Sequence, residues 1–196
     1  MLQVAITGGI ACGKSLVGSL LCAEGIPVCD SDLLAHELIR SGSKEYRKLV
    51  EHFGDEITGP DGEIDRSVLA GMVFGIPEQM TVLNTILHPG VKRLWRSWMR
   101  RVAEKNRIGV VIVPLLYEIG EGRKWDKVIC VGAGEDAQRA RLADRGLSQI
   151  AIDHRLSAQM PVWQKMERAD FVIYNGGSLE MLKEQTERIL NELLES

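Results

Sequence analysis

Residues 2–16 read LQVAITGGIACGKSL, and this stretch decides the fold. Leu2–Thr7 is a short, mostly apolar run stopped by Gly8 and Gly9, the pattern of a buried β-strand that ends in a turn. Gly8-Gly9-Ile10-Ala11-Cys12-Gly13-Lys14-Ser15 fits G-x-x-x-x-G-K-[ST], the phosphate-binding loop. Each residue type has a physical job there. Glycines take backbone conformations that a Cβ forbids and let N–H groups come up against phosphate. Those N–H groups, with the helix that starts near Lys14, make an anion site. Lys14 is expected to reach the β- and γ-phosphates of a nucleotide, and the Ser15 hydroxyl to ligate Mg²⁺. The pattern counts only in the right context. Here a strand precedes it, and a helical stretch, Lys14–Glu24 with Gly25 as its stop, follows.

Outward from the loop, Ile26–Cys29, Ile108–Pro114, Lys127–Val131 and Phe171–Tyr174 read as four further strands. They are apolar runs rather than alternating ones and they alternate with helical stretches (135–146, 148–159, 162–168, 178–194), which predicts an α/β fold with a parallel five-stranded sheet flanked by helices. Residues 33–106 contain no convincing strand. They read as helices at about 33–40, 43–53, 66–74, 77–86 and 89–105, with a turn at Pro60-Asp61-Gly62. Pro89 suits the first turn of the last of these. Val91, Leu94, Trp95, Trp98, Met99 and Val102 form its apolar stripe, so both tryptophans are expected in the core. Lys92, Arg96 and Arg100 run along the opposite face; such stripes are mostly solvated, though this one could attract a diphosphate. The expectation is one domain over 1–196, with a helical insertion at 33–106.

The chain has 196 residues, with 24 Lys and Arg against 27 Asp and Glu, a formal net charge of −3. That balance argues against a partner that is duplex nucleic acid held by bulk charge. The 45% apolar and 26% charged fractions are those of a globular protein and argue against disorder. Cys12, Cys22, Cys29 and Cys130 form no C-x-x-C pair and no zinc spacing with the histidines, so reduced thiols and a cytoplasmic setting are expected. Met1–Thr7 lacks the basic start of a signal peptide. The longest apolar run, Val110–Tyr117, is eight residues with a proline inside, where a membrane span needs about 20, so no membrane partner is expected. The pattern sets no oligomeric state.

Neither N-K-x-D nor D-x-x-G occurs, so the loop does not belong to a GTPase switch. A compact kinase for a small molecule fits the length. Asp30 and Asp32 follow the second strand at its carboxyl end, where open α/β sheets bind ligands. Asp32 could take a proton from an attacking hydroxyl, or could serve as a helix N-cap before Leu33. Arg139, Arg141 and Arg145 lie in one helical stretch, with the last two four apart. They could stabilise a transferring phosphoryl group, or pair on the surface with Asp136, Asp144 or Asp153. Cys12, at a helix N-terminus beside Lys14, could have a lowered pKa and be prone to oxidation, or simply be a small residue.

The segments TGGIACGKS (7–15), DSD (30–32), DGEIDR (61–66), LNTILHP (83–89), VPLLYE (113–118), Q-x-x-R-x-x-x-R (138–145), R-x-x-x-Q-M-P (155–161) and ADFVIYN (169–175), in this order, resemble dephospho-CoA kinases from end to end. The resemblance implies the P-loop kinase fold with a short lid within 135–165 and ATP-dependent phosphorylation of the ribose 3′-hydroxyl of dephospho-CoA, with Mg²⁺ as cofactor. By the same resemblance Gly8, Gly9, Ile10, Ala11, Cys12, Gly13, Lys14, Ser15 and Leu16 hold ATP. Asp32 matches the second aspartate of the family's D-A-D motif, its proposed general base. Arg66, His88, Leu115 and Glu118 sit in motifs that line the acceptor site. Arg139–Arg145 looks like the lid, and Asn175 falls where the family approaches adenine. For His88 a cap on the long helix is the alternative, and for Glu118 a pairing with an arginine. Cys12 stands for a usual serine, Ala11 for a common glycine, Leu16 for a frequent threonine and Tyr117 for a frequent phenylalanine. Another small acceptor, such as a nucleoside monophosphate, or a nucleotide-binding module without turnover are the rival functions.

Overall fold

The apolar runs form five strands in the computed structural model, which describes residues 1–73 and 75–195. They are β1 (Leu2–Gly8), β2 (Val28–Asp30), β3 (Ile108–Ile112), β4 (Lys127–Gly132) and β5 (Phe171–Tyr174). The sheet order is β2-β3-β1-β4-β5, and every neighbouring pair is parallel. The expected fold class therefore holds. β2 starts later than its apolar run because Pro27 has no N–H for the ladder; its carbonyl still accepts from Val110 N at 3.0 Å.

β1 lies at the centre, with Ile6 beside Ile112 on one side and Ile129 on the other. Val4, Ala5 and Ile6 are fully buried, as a strand covered on both faces must be. Helices α1 (Lys14–Ala23) and α9 (Leu179–Glu195) supply Val17, Leu21, Ile189 and Leu193 to the core that holds Val4 and Ile6. Three further helices, α6 (Glu135–Asp144), α7 (Gln149–Ser157) and α8 (Val162–Arg168), come between β4 and β5.

The chain divides into two compact units, one of Met1–Asp30 with the chain from Met99 onward, the other of Ser31–Trp98. The second holds α2 (Ser31–Leu38), α3 (Lys44–Phe53), α4 (Arg66–Val73) and most of α5 (Pro77–Ala103). Its own core gathers Ile39, Leu49, Phe53, Ile57, Leu69 and Val73. Ser43 caps α3 by accepting from Tyr46 N at 2.8 Å. Asp65 caps α4 through Ser67 N at 2.8 Å and Val68 N at 3.2 Å, and the Ser67 hydroxyl, followed by these two amides, holds its carboxyl below the ordinary range. The turn expected at Pro60-Asp61-Gly62 closes with Gly62 N on Gly59 O at 2.9 Å. Of the helix expected at 66–74, Phe74 lies outside the described residues.

One expectation fails. The two helices predicted at 77–86 and 89–105 are a single helix, α5, with Pro89 in its interior rather than in a first turn. Proline removes one N–H donor, which leaves the Thr85 carbonyl without its usual partner. Packing carries the helix through. Gly90 is buried, and a Cβ there would stand 2.7 Å from Glu45 Oε1 and 2.8 Å from Leu38 Cδ1, so α5 sits close against α2 and α3 just where its ladder is interrupted. No helix among the described residues is long and apolar enough to cross a membrane.

Candidate active site

The loop after β1 is shaped by conformations that its sequence makes available. Gly8 has φ 143°, and a Cβ on it would run into the Val131 carbonyl of β4. Gly13, at φ 101°, is the N-cap of α1. Between them Ala11 sits at φ 57° and is the one non-glycine residue with positive φ among those described. The left-handed region costs a residue with a Cβ about 1–2 kcal/mol, a cost that a glycine at this position would not carry.

Five consecutive carbonyls of the loop meet side-chain donors. Lys14 Nζ donates to Gly8 O at 3.2 Å and to Gly9 O at 2.7 Å. Gln138 Nε2 donates to Ile10 O at 2.7 Å, Arg141 Nη1 to Ala11 O at 3.0 Å and Asn175 Nδ2 to Cys12 O at 2.9 Å. In a trans peptide the C=O and the next N–H point opposite ways. Tying back the Ile10 and Cys12 carbonyls therefore directs the Ala11 and Gly13 amides away from those donors. The first-turn amides of α1 have no intrahelical acceptors, their N-cap, Gly13, offers no side chain and no acidic residue stands in that turn. The helix end keeps its partial positive charge for an anion.

Cys12 takes the second of its two alternatives, the small residue rather than the reactive thiol. It is fully buried in the core that holds Val4 and Ile6, and burial pushes its thiol pKa up, outweighing nearby Lys14. Cys12 is a small core residue. Ser15 and Leu16 are exposed on the first turn of α1.

The three arginines separate. Arg141 bonds the loop as above and also reaches Asn175 O at 2.9 Å. Arg139 takes the surface-pair alternative: it binds Glu135 at 2.8 Å and Asp153 at 2.6 Å, joining α6 to α7 and holding the Asp153 carboxyl below its ordinary range. Arg145 is the exposed C-cap of α6. Asn175 is buried directly after β5, with its side chain on the loop.

After β3, Leu115 is half-buried and Glu118 pairs not with an arginine but with Lys165 of α8, at 2.7 Å. Lys165 has no exposed surface, and it also donates to Pro114 O at 2.9 Å. The carboxylate of Glu118 further accepts from Met160 N at 3.0 Å. Nothing in the local spacing announces this pair, because Lys165 reads as one more surface lysine. Tyr117 buries a hydroxyl that has no partner among the described residues. Burial, with Cys130 and Asp170 nearby, pushes its pKa up to about 12.

Within Ser31–Trp98, Asp32 stands in the first turn of α2. Arg66 opens α4 and lies 3.0 Å from His36 Nδ1. His36, one helical turn beyond Asp32, was not expected from the sequence; its i+4 spacing from the aspartate was the available signal. His88 is half-buried inside α5, which removes the cap alternative. Trp95 and Trp98 are half-buried rather than core, and Arg96 stacks on Trp95 with 5.6 Å to the ring centroid.

A dephospho-CoA kinase family model matches residues 2–181. A dephospho-CoA kinase of Anaeromyxobacter dehalogenans is 40% identical over 195 residues, covering 98% of this chain and 92% of that one. The crystal structure of TT1252 from Thermus thermophilus shares 34% identity at a TM-score of 0.83, covering 98% of this chain and 97% of that one. Dephospho-CoA kinase from Campylobacter jejuni shares 26% at a TM-score of 0.71, covering 97% and 96%. With its ordered motifs, its parallel sheet and its phosphate loop, this chain belongs to the dephospho-CoA kinase family.

Proposed function

We propose that this chain transfers the γ-phosphoryl group of ATP to the ribose 3′-hydroxyl of dephospho-CoA, releasing ADP and coenzyme A. The observation that carries the reading is the phosphate loop with its carbonyls tied back, on a chain that matches the family over residues 2–181. In this reading the amides of Ala11 and Gly13 and the first turn of α1 cradle the phosphates, and Lys14 leaves the Gly8 and Gly9 carbonyls for the β- and γ-phosphates. Asp32 accepts the proton of the 3′-hydroxyl as the P–O bond to ADP breaks and the bond to the ribose oxygen forms. Arg141 offsets charge on the moving group, and Arg66, His88, Leu115 and Glu118 serve the acceptor.

A magnesium ion fits this residue set. No cluster of three or more His, Cys, Asp or Glu among the described residues could hold a metal alone. Mg²⁺ bound with a nucleotide needs no such cage, since it keeps phosphate oxygens and waters alongside one or two protein oxygens. The exposed Ser15 hydroxyl supplies such an oxygen. When bound, such an ion would offset phosphate charge during transfer.

ADP release measured with dephospho-CoA, with a panel of nucleoside monophosphates and with ATP alone tests the reading. Release that depends on dephospho-CoA is expected. Equal release with and without it overturns the proposal.

A further inference from the structure

Gln138, which ties back the Ile10 carbonyl, has a counterpart in Gln159 of the motif R-x-x-x-Q-M-P (155–161), which the mechanism above leaves aside; both glutamines end on one loop residue, Ile10. Gln138 Nε2 donates to Ile10 O at 2.7 Å, and Gln159 Oε1 accepts from Ile10 N at 3.0 Å. A carbonyl only accepts and a backbone N–H only donates, so the partners dictate which end of each amide faces the loop. Gln138 is buried, on α6; Gln159 lies between α7 and α8. The Ile10 side chain packs on the small cluster of Leu142 and Ile152, which joins α6 to α7. Residue 10 is therefore held three ways, by both of its peptide groups and by its side chain.

Gly9 is an independent sign of the same clamp. Its φ is not in the left-handed region, so its backbone does not demand glycine. A Cβ there would lie 2.6 Å from Gln138 Nε2. The glycine leaves room for the glutamine.

We propose that Gln138 and Gln159 are positioning residues that clamp the Ile10 peptide groups from opposite sides and so preset the phosphate loop for MgATP. Position 138 must donate and position 159 must accept. The inference rests on the kinase reading only in that the loop binds a nucleotide; the identity of the acceptor does not enter it.

The test uses this opposite polarity. Gln138→Glu and Gln159→Glu place the same charge on the two sides of Ile10, but only the first removes the needed group. Gln138→Glu is expected to weaken MgATP binding about 10-fold more than Gln159→Glu does, measured by titration calorimetry with no acceptor present. In steady-state kinetics the KM for ATP should rise in Gln138→Glu while the KM for dephospho-CoA stays unchanged, a split that mere loosening of the fold would not produce. Gln138→Met, which deletes the donor without adding charge, should weaken binding about 10-fold and stands in if Gln138→Glu does not fold. Equal losses in the two Glu variants, the reverse order, or a Gln138→Met chain that binds MgATP as tightly as the unaltered one overturns the proposal. Normal nucleotide binding in a chain that ignores dephospho-CoA would sink the proposed acceptor and leave this test standing.

Discussion

Asp32 combines two roles that are physically compatible. An acidic side chain in the first turn of α2 interacts favourably with the helix dipole, and in the proposed reaction the same carboxylate is the proton acceptor. The two separate by measurement. Asp32→Ala is expected to lower turnover by about 10²–10⁴, with stability reduced by no more than about 1 kcal/mol and MgATP affinity nearly intact. Unchanged turnover in an ADP-release assay would remove Asp32 as the base. Its neighbours in the loop teach the limits of local reading. Cys12 has every sequence feature of a reactive thiol, but reactivity depends on exposure, and full burial decides against it. Ala11 looks like a harmless substitution and turns out to hold the loop's left-handed position.

Helix α5 shows the same conflict one level up. Proline is a strong breaker, so the sequence reads as two helices; the chain makes one because α2 and α3 pack against Gly90. Adjacent substitutions should then have opposite signs. Pro89→Ala restores a donor for the Thr85 carbonyl and removes a penalty of about 3 kcal/mol in a regular helix, so a gain of about 1 kcal/mol or more is expected in urea unfolding. Gly90→Ala gains about 1 kcal/mol in helix propensity but must push Leu38 and Glu45 aside at a cost of about 1–3 kcal/mol, so it should destabilise. A stabilised Gly90→Ala chain would show that α5 is not held this way. The caps at Ser43 and Asp65 are, by contrast, contacts within three residues along the chain, the kind of feature that local sequence can record.

Over the whole molecule, the anion site explains why a chain of net charge −3 can take a polyphosphate. The positive potential is local: Lys14, the loop amides and the open end of α1. A ligand that binds only the folded state stabilises it, by about 2.7 kcal/mol at 100 times its Kd. For a domain of this size that is a rise in thermal midpoint of roughly 5–10 °C. MgATP should produce this rise, and Lys14→Ala should abolish most of it, each shift being taken from the ligand-free midpoint of the same chain. An equal shift in both chains, followed by differential scanning fluorimetry, would place the nucleotide elsewhere.

The sequence by itself determined the number and direction of the strands, the place of the phosphate loop between β1 and α1, and the family, because burial patterns, turn residues and loop chemistry are encoded in neighbouring positions. Only the tertiary structure decided which groups tie the loop back. Gln138, Arg141 and Asn175 reach it across 128, 130 and 163 positions of chain. The same holds for the Lys165–Glu118 pair, the burial of Cys12 and the passage of α5 through Pro89. Desolvation and hydrogen-bond pairing depend on what the fold brings alongside, and no local spacing records that.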